Sequence, residues 1–87
     1  MKRAKKKKVT PRAATAVDIY IGARVRDRRI ALGLSQDVLG EKLGVSFQQV
    51  QKYERGVNRI SAARLFEICR ALKLPLASMF ERDPTAP

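Results

Sequence analysis

The chain has 87 residues, one cysteine and neither histidine nor tryptophan, and 19 lysines and arginines outweigh 8 acidic residues to give a formal charge of +11. One small domain fills that length. The missing histidines exclude imidazole catalysis, Ser-His-Asp triads and most zinc or haem ligation, and a lone cysteine cannot close an intramolecular disulfide. No apolar run approaches the roughly 18 to 20 residues needed to cross a bilayer. Neither metal nor cofactor is expected, no enzyme chemistry is visible, and the positive excess points to a polyanionic partner.

The charge is unevenly spread. Residues 1–17 carry Lys2, Arg3, Lys5, Lys6, Lys7, Lys8 and Arg12 without an acid, a contribution of +7. From Asp18 onward, 12 basic and 8 acidic side chains leave +4. With Pro11 and only Val9 and Val17 as sizeable aliphatics, the first segment buries too little to offset the entropy of ordering, and it reads as a disordered arm. It lacks the apolar stretch of a signal peptide and the apolar face or lipidation signal of a membrane anchor. Two roles stay open for it, a solubilising tail or an arm that contacts phosphate.

The rest reads as short amphipathic helices, with no segment alternating like a strand. Asp18 is the expected N-cap of helix 1, about residues 19–32, which Gly33 ends. Ser35 caps helix 2, about 36–43, and Gly44 stops it. Ser46 caps helix 3, about 47–55, and Gly56 stops it. Ser61 caps helix 4, about 62–72, and Pro75 opens a final short helix carrying Leu76, Met79 and Phe80. Those three residues, with Ile60, either form a dimer surface or close the monomer's core. Phe80 is expected in the core, with Met79 or Leu76 more exposed. Cys69, beside Ile68 and near Leu65 and Leu72, reads as a small buried core residue.

Helices 2 and 3 are joined by only Gly44, Val45 and Ser46. Leu39 and Leu43 share one face of helix 2, as Val50 and Tyr53 share one face of helix 3. Gly44 permits the left-handed turn, and Val45 can plug the gap between the helices. These are the requirements of a helix-turn-helix, in which helix 2 braces helix 3 so that its opposite face projects. That face carries Gln48, Gln49, Lys52 and Arg55, with Gln51 nearby. Glutamine offers the donor and acceptor that adenine presents a need for in the major groove, and lysine reaches guanine or phosphate.

Helix 1 holds an anomaly. Ile21, Val25, Arg29 and Leu32 follow the spacing of a buried stripe. A buried guanidinium needs a partner, and Glu54, one turn after Val50, is on the inward side of helix 3. An Arg29–Glu54 ion pair is therefore expected, orienting helix 3 more than adding net stability.

The run RxxLGLSQDVLGEKLGVSFQQVQKYERG, followed by RLFEICRALKLPLASMF, resembles the Cro/CI-type helix-turn-helix family, whose members are lambda-repressor-like. The resemblance covers about 60 residues of the 87 and leaves out the arm. It implies an all-α, compact five-helix domain, placed over residues 18–82, which leaves the basic arm over 1–17 and a short tail over 83–87 on either side. It implies a sequence-specific transcriptional regulator, in the first instance a repressor, bound as a homodimer to palindromic double-stranded DNA. The place implied is cytoplasmic, bacterial or phage, and associated with the nucleoid. An antitoxin-type module that binds a protein partner and its own operator is the alternative. By matching position, Phe47, Gln48 and Lys52 would reach base edges, flanked by Gln49 and Gln51. Gln36, Ser46, Arg55, Asn58 and Arg59 would contact phosphates, and Arg29 with Glu54 matches a buried ion pair of some members. Gly40 departs from the usual alanine, weakening helix 2 by about 1 kcal/mol. Phe47 departs from a hydrogen-bonding residue, and either meets a thymine methyl or staples the helix start. Replacing Glu54 by Ala is expected to lower thermal stability and DNA affinity together; full retention of both would contradict the ion pair.

Overall fold

The computed structural model describes residues 15–82. Of the arm expected over residues 1–17 and the tail over 83–87, residues 1–14 and 83–87 lie outside the described residues, whereas Thr15, Ala16 and Val17 form the N-cap and first turn of α1 and are not part of a disordered arm. Four α-helices follow in order: α1 (Ala16–Ala31), α2 (Gln36–Leu43), α3 (Phe47–Arg55) and α4 (Ala62–Ala71). A 3₁₀ helix, Leu76–Phe80, closes the fold, and there is no strand among the described residues.

The serines at helix starts act as their positions predict. Ser35 accepts from the Val38 amide at 3.1 Å, Ser46 from Gln49 at 3.2 Å and Ser61 from Arg64 at 3.1 Å. Each satisfies an amide that the helix itself leaves without a carbonyl. At the other end of α2, Gly44 takes φ 75°, a left-handed conformation that reverses the chain in the space of three residues.

The start of α1 departs from expectation. Thr15, not Asp18, is the N-cap, and its hydroxyl accepts from the Asp18 amide at 3.1 Å. Asp18 occupies the third helical position, and its carboxylate accepts from the Thr15 amide at 3.1 Å and hydroxyl at 2.8 Å. Both residue types can cap, but only this pairing satisfies two amides reciprocally, so α1 gains a further turn.

The core joins Val25 of α1, Leu39 and Leu43 of α2, Val50 and Tyr53 of α3, and Leu65, Ile68 and Cys69 of α4. Leu72 and Met79 close it from the far end. Burial pushes the Cys69 thiol up, which disfavours the reactive thiolate. The apolar stripe of α1 stops at Arg29, because Leu32 is the C-cap and its side chain is partly exposed.

The chain's end reverses another expectation. Met79 is fully buried and Phe80 is 57% exposed. A 3₁₀ helix forms here in place of a fifth α-helix; the Ser78 amide and hydroxyl both return to the Pro75 carbonyl, at 2.9 and 2.6 Å. Arg24 of α1 binds the Ser78 carbonyl at 2.7 Å, fixing the register of this tight turn. In that register the adjacent side chain, unbranched Met79, fills the remaining gap and Phe80 is left outside.

Two glycines set how closely the helices approach. A methyl group at Gly22 of α1 would run into the Tyr53 carbonyl oxygen and lie 2.7 Å from that of Glu54, both backbone atoms of α3. At Gly40 it would lie 2.6 Å from the Val45 carbonyl oxygen, so the turn between α2 and α3 closes directly onto this glycine. Gly22→Ala should lower the denaturation midpoint: the clash is with α3 backbone, which cannot swing aside, so the cost falls in the upper part of the about 1 to 3 kcal/mol of overpacking and outweighs the gain of about 1 kcal/mol in helix propensity. A midpoint at or above that of the parent protein would show that α1 and α3 can move apart freely.

Candidate nucleic-acid interface

α3 is divided lengthwise. Val50, Tyr53 and Glu54 are buried, while Phe47, Gln48, Lys52 and Arg55 are exposed. Gln48, Lys52 and Arg55 follow one another at turn spacing, forming the outward crest, and half-buried Gln49 and Gln51 flank it. The crest is therefore the part of α3 that the core leaves free.

Phe47 lies at the base of the crest, 40% exposed. Val45 and Val50 occupy the two positions that staple a helix start and are both part of the packed interior. Phe47 is thus left to the surface. Ser46, beside it, is exposed, with its oxygen held by the Gln49 amide.

Behind the crest, Arg29 meets Glu54 on both oxygens, Nε to Oε2 at 2.6 Å and Nη2 to Oε1 at 3.0 Å. The residues are 9% and 7% exposed, so this is a buried, bidentate pair. Arg29 also donates through Nη1 to the Leu34 carbonyl at 2.8 Å, in the link between α1 and α2. Gln36, the first residue of α2, donates its side-chain amide to Glu54 Oε1 at 3.0 Å. The Arg29–Glu54 spacing was visible in the sequence; the inclusion of Gln36 and Leu34 was not, because it depends on how the turn folds back.

Other arginines also work inside the fold. Arg28 donates to the Leu72 and Lys73 carbonyls at 2.9 and 3.1 Å, at the end of α4. Arg64 donates to the Leu43 carbonyl at 2.8 Å, tying α4 to the end of α2, and to Glu67 at 3.0 Å. Arg24 binds Ser78 through Nη2 and leaves its buried Nε without a partner among the described residues. These contacts place four guanidinium groups, at positions 24, 28, 29 and 64, against the protein's own carbonyls and carboxylates.

The exposed loop after α3 contributes Asn58 and Arg59. Arg59 lies 3.6 Å from the Asp18 carboxylate, which links this loop to the first turn of α1. Sequence reasoning missed this contact, although the Thr15-x-x-Asp18 pattern of a capping box marked where the acid would be held. Gly56 lies against the same turn, since a methyl group there would be 2.8 Å from the Ile19 Cα. The start of α1, where the basic segment joins the fold, thus adjoins the end of α3. Among the described residues no group of three His, Cys, Asp or Glu side chains could hold a metal, and no helix is long and apolar enough to cross a membrane.

Residues 25–87 match the helix-turn-helix family. An uncharacterized HTH-type transcriptional regulator of Sinorhizobium medicae strain WSM419 is 49% identical over 79 residues, covering 91% of this chain and 53% of that protein. The chain thus spans about half the length of this relative. Among solved structures, the restriction-modification controller protein C.AhdI of Aeromonas hydrophila aligns with a TM-score of 0.71 and 30% identity, over 76% of this chain and 100% of that one. The P22 c2 repressor, solved with a synthetic operator, aligns with a TM-score of 0.65 and 28% identity, over 72% and 96% of the two chains.

Although partial burial pushes the Asp18 pKa up, hydrogen bonds from the Thr15 side chain and backbone and the nearby Arg59 charge outweigh it, leaving the carboxyl below its usual range. A depressed carboxyl stabilises the fold above the unfolded value, about pH 4, and loses that contribution as pH falls through the folded value. Asp18→Ala should therefore melt below the parent protein at pH 7, and the gap should close on acidification below about pH 4. A gap that persists undiminished in acid would show that the carboxylate charge is not its source.

Proposed function

This chain belongs to the helix-turn-helix family, of the Cro/CI type, and from that premise we propose that it is a sequence-specific DNA-binding transcriptional regulator that reads the major groove with α3. The observation that carries this reading is the crest of Gln48, Lys52 and Arg55, exposed on a helix whose opposite face is locked by Val50, Tyr53 and Glu54. A helix held in this way can enter the groove without being reordered, and its amide and ammonium groups match the edges of adenine and guanine. Phe47 offers an apolar surface to a thymine methyl. Gln49 and Gln51 lie at the margins of the same face.

Phosphate contacts would fix the register from both sides of α3. Gln36 and Ser46 serve at the helix starts, where amide groups favour an anion, and Arg55, Asn58 and Arg59 serve beyond its end. Arg59 would exchange its contact with Asp18 for a stronger anionic partner. The Lys-rich arm joins the fold beside this end of α3, which favours phosphate contact over a solubilising role. Repression is the simplest outcome, since occupied DNA excludes polymerase. DNA as the partner also implies a cytoplasmic place at the nucleoid.

A homodimer on a palindrome is the assembly we propose. Phe66, Leu76 and Phe80 are 51%, 43% and 57% exposed on α4 and the 3₁₀ helix, more apolar surface than a domain this small gains from leaving in water. Two copies joined through it would present half-sites about one DNA turn apart. Ile60 and Met79, two earlier candidates for that surface, are drawn into the interior.

Selection of bound sites from random DNA, repeated at two salt concentrations, tests the reading. Gln48→Ala or Lys52→Ala should relax preference at one base position, costing about 1 to 3 kcal/mol there. Arg59→Ala, or deletion of residues 2–8, should weaken binding to all sequences alike and flatten the salt dependence. Absence of any preferred site in the parent protein would overturn the proposal.

A further inference from the structure

We infer that Glu54 is a positioning residue for DNA contact by Gln36, an inference that rests on the DNA-binding role proposed above. The carboxylate is buried under α3 and beyond the reach of DNA, yet its Oε1 is 3.0 Å from the Gln36 side-chain nitrogen. Gln36 itself is half-buried at the first position of α2.

The geometry fixes more than a distance. A glutamine amide can normally present either its oxygen or its nitrogen to a neighbour. A carboxylate engaged by Arg29 on both oxygens accepts hydrogen bonds and donates none. Gln36 must therefore turn its nitrogen toward Glu54, and one of the two N–H groups is spent there. The second N–H on that nitrogen remains for an acceptor outside the protein. Because the side chain is already ordered, phosphate binding need not pay the rotamer entropy of an unrestrained glutamine.

Glu54 thereby couples two parts of the interface. Its backbone belongs to α3, which carries the base-reading crest, and its carboxylate holds the phosphate-facing side chain of α2. The offset between the phosphate contact and the bases is then set inside the protein.

A double-mutant cycle on the full chain tests the coupling, using an operator recovered by site selection. Gln36→Ala should weaken binding about fivefold, the size of one neutral hydrogen bond, without altering the salt slope because no charge is lost. Glu54→Gln should weaken it comparably in the parent background and have little further effect when Gln36 is already Ala. If Glu54 acts only by general support of the fold, the two losses multiply and the inference fails. Should Glu54→Gln unfold, the parent protein decides by NMR. The two Gln36 amide hydrogens should then exchange with solvent at different rates, one protected, whereas those of exposed Gln48 exchange alike. Matching behaviour at Gln36 and Gln48 overturns the inference. A parent protein that binds DNA with clear site preference but shows either adverse result refutes the role of Glu54 alone, whereas a parent without site preference refutes the DNA-binding reading itself.

Discussion

The buried contact between Arg29 and Glu54 is the constraint on which the rest of the molecule depends. Removing two charges from water is costly, and in many proteins an apolar pair would stabilise as well or better. Here the geometry offsets the cost by leaving few polar atoms unserved. Arg29 meets both carboxylate oxygens and a backbone carbonyl, and Glu54 accepts in addition from Gln36. The ion pair therefore ties together α1, the start of α2 and the end of α3 through the carboxylate, and the link after α1 through the guanidinium. A hydrocarbon pair would fill the space but could not specify these directions. Gly22 belongs to the same constraint, because only without a side chain there can the α1 backbone come near enough for the pair to close.

The net charge acquires a different meaning once its side chains are located. A basic domain suggests a surface laid out for nucleic acid. Yet Arg24, Arg28, Arg29 and Arg64 are directed at the protein's own carbonyls, and Arg64 at the end of α2 and Arg28 at the end of α4 place a fixed positive charge against the partial negative charge of a helix C-terminus. A planar guanidinium with several donors can bridge successive carbonyls, as Arg28 does at Leu72 and Lys73, where a lysine would act as a single point. Small helical domains lack the apolar surface to lock every helix end by packing alone. These four arginines stand in for part of that missing core.

How much was legible in the sequence follows from the range of each interaction. The serine caps and the glycine stops are local, and they placed α2, α3 and α4 nearly to the residue. The Arg29–Glu54 contact spans 25 residues, yet was readable because a charge on an apolar stripe demands a partner and few were available. The start of α1 was missed for a local reason: Thr15 and Asp18 can each cap, and only their reciprocal hydrogen bonds decide between them. Met79 and Phe80 were exchanged because a 3₁₀ turn advances side chains by a different angle from an α-helix, and a tertiary bond from Arg24 sets its register. Periodicity carries no sign of either. Gly22 escaped notice entirely, since close backbone approach leaves no local signature in a helix. The side chains expected to meet DNA were legible as a face of α3, while the bond from Gln36 to the interior was not.

α3 has nine residues, too few to persist as a helix alone in water, where even favourable sequences need about 12 to 15. Its shape and orientation are therefore imposed from behind and from its ends. Ser46 and Gly56 bound it, Val50 and Tyr53 anchor it, and Glu54 fixes its rotation. None of these groups is on the crest of Gln48, Lys52 and Arg55. Changes on the crest consequently leave the supports of the helix untouched, and they are free to alter what the helix contacts at little cost to the fold. Changes behind it alter orientation and stability together. Such a division makes surface contacts adjustable on a domain with little stability to spare, and it follows from burying the polarity that orients the helix while leaving the polarity of the crest exposed.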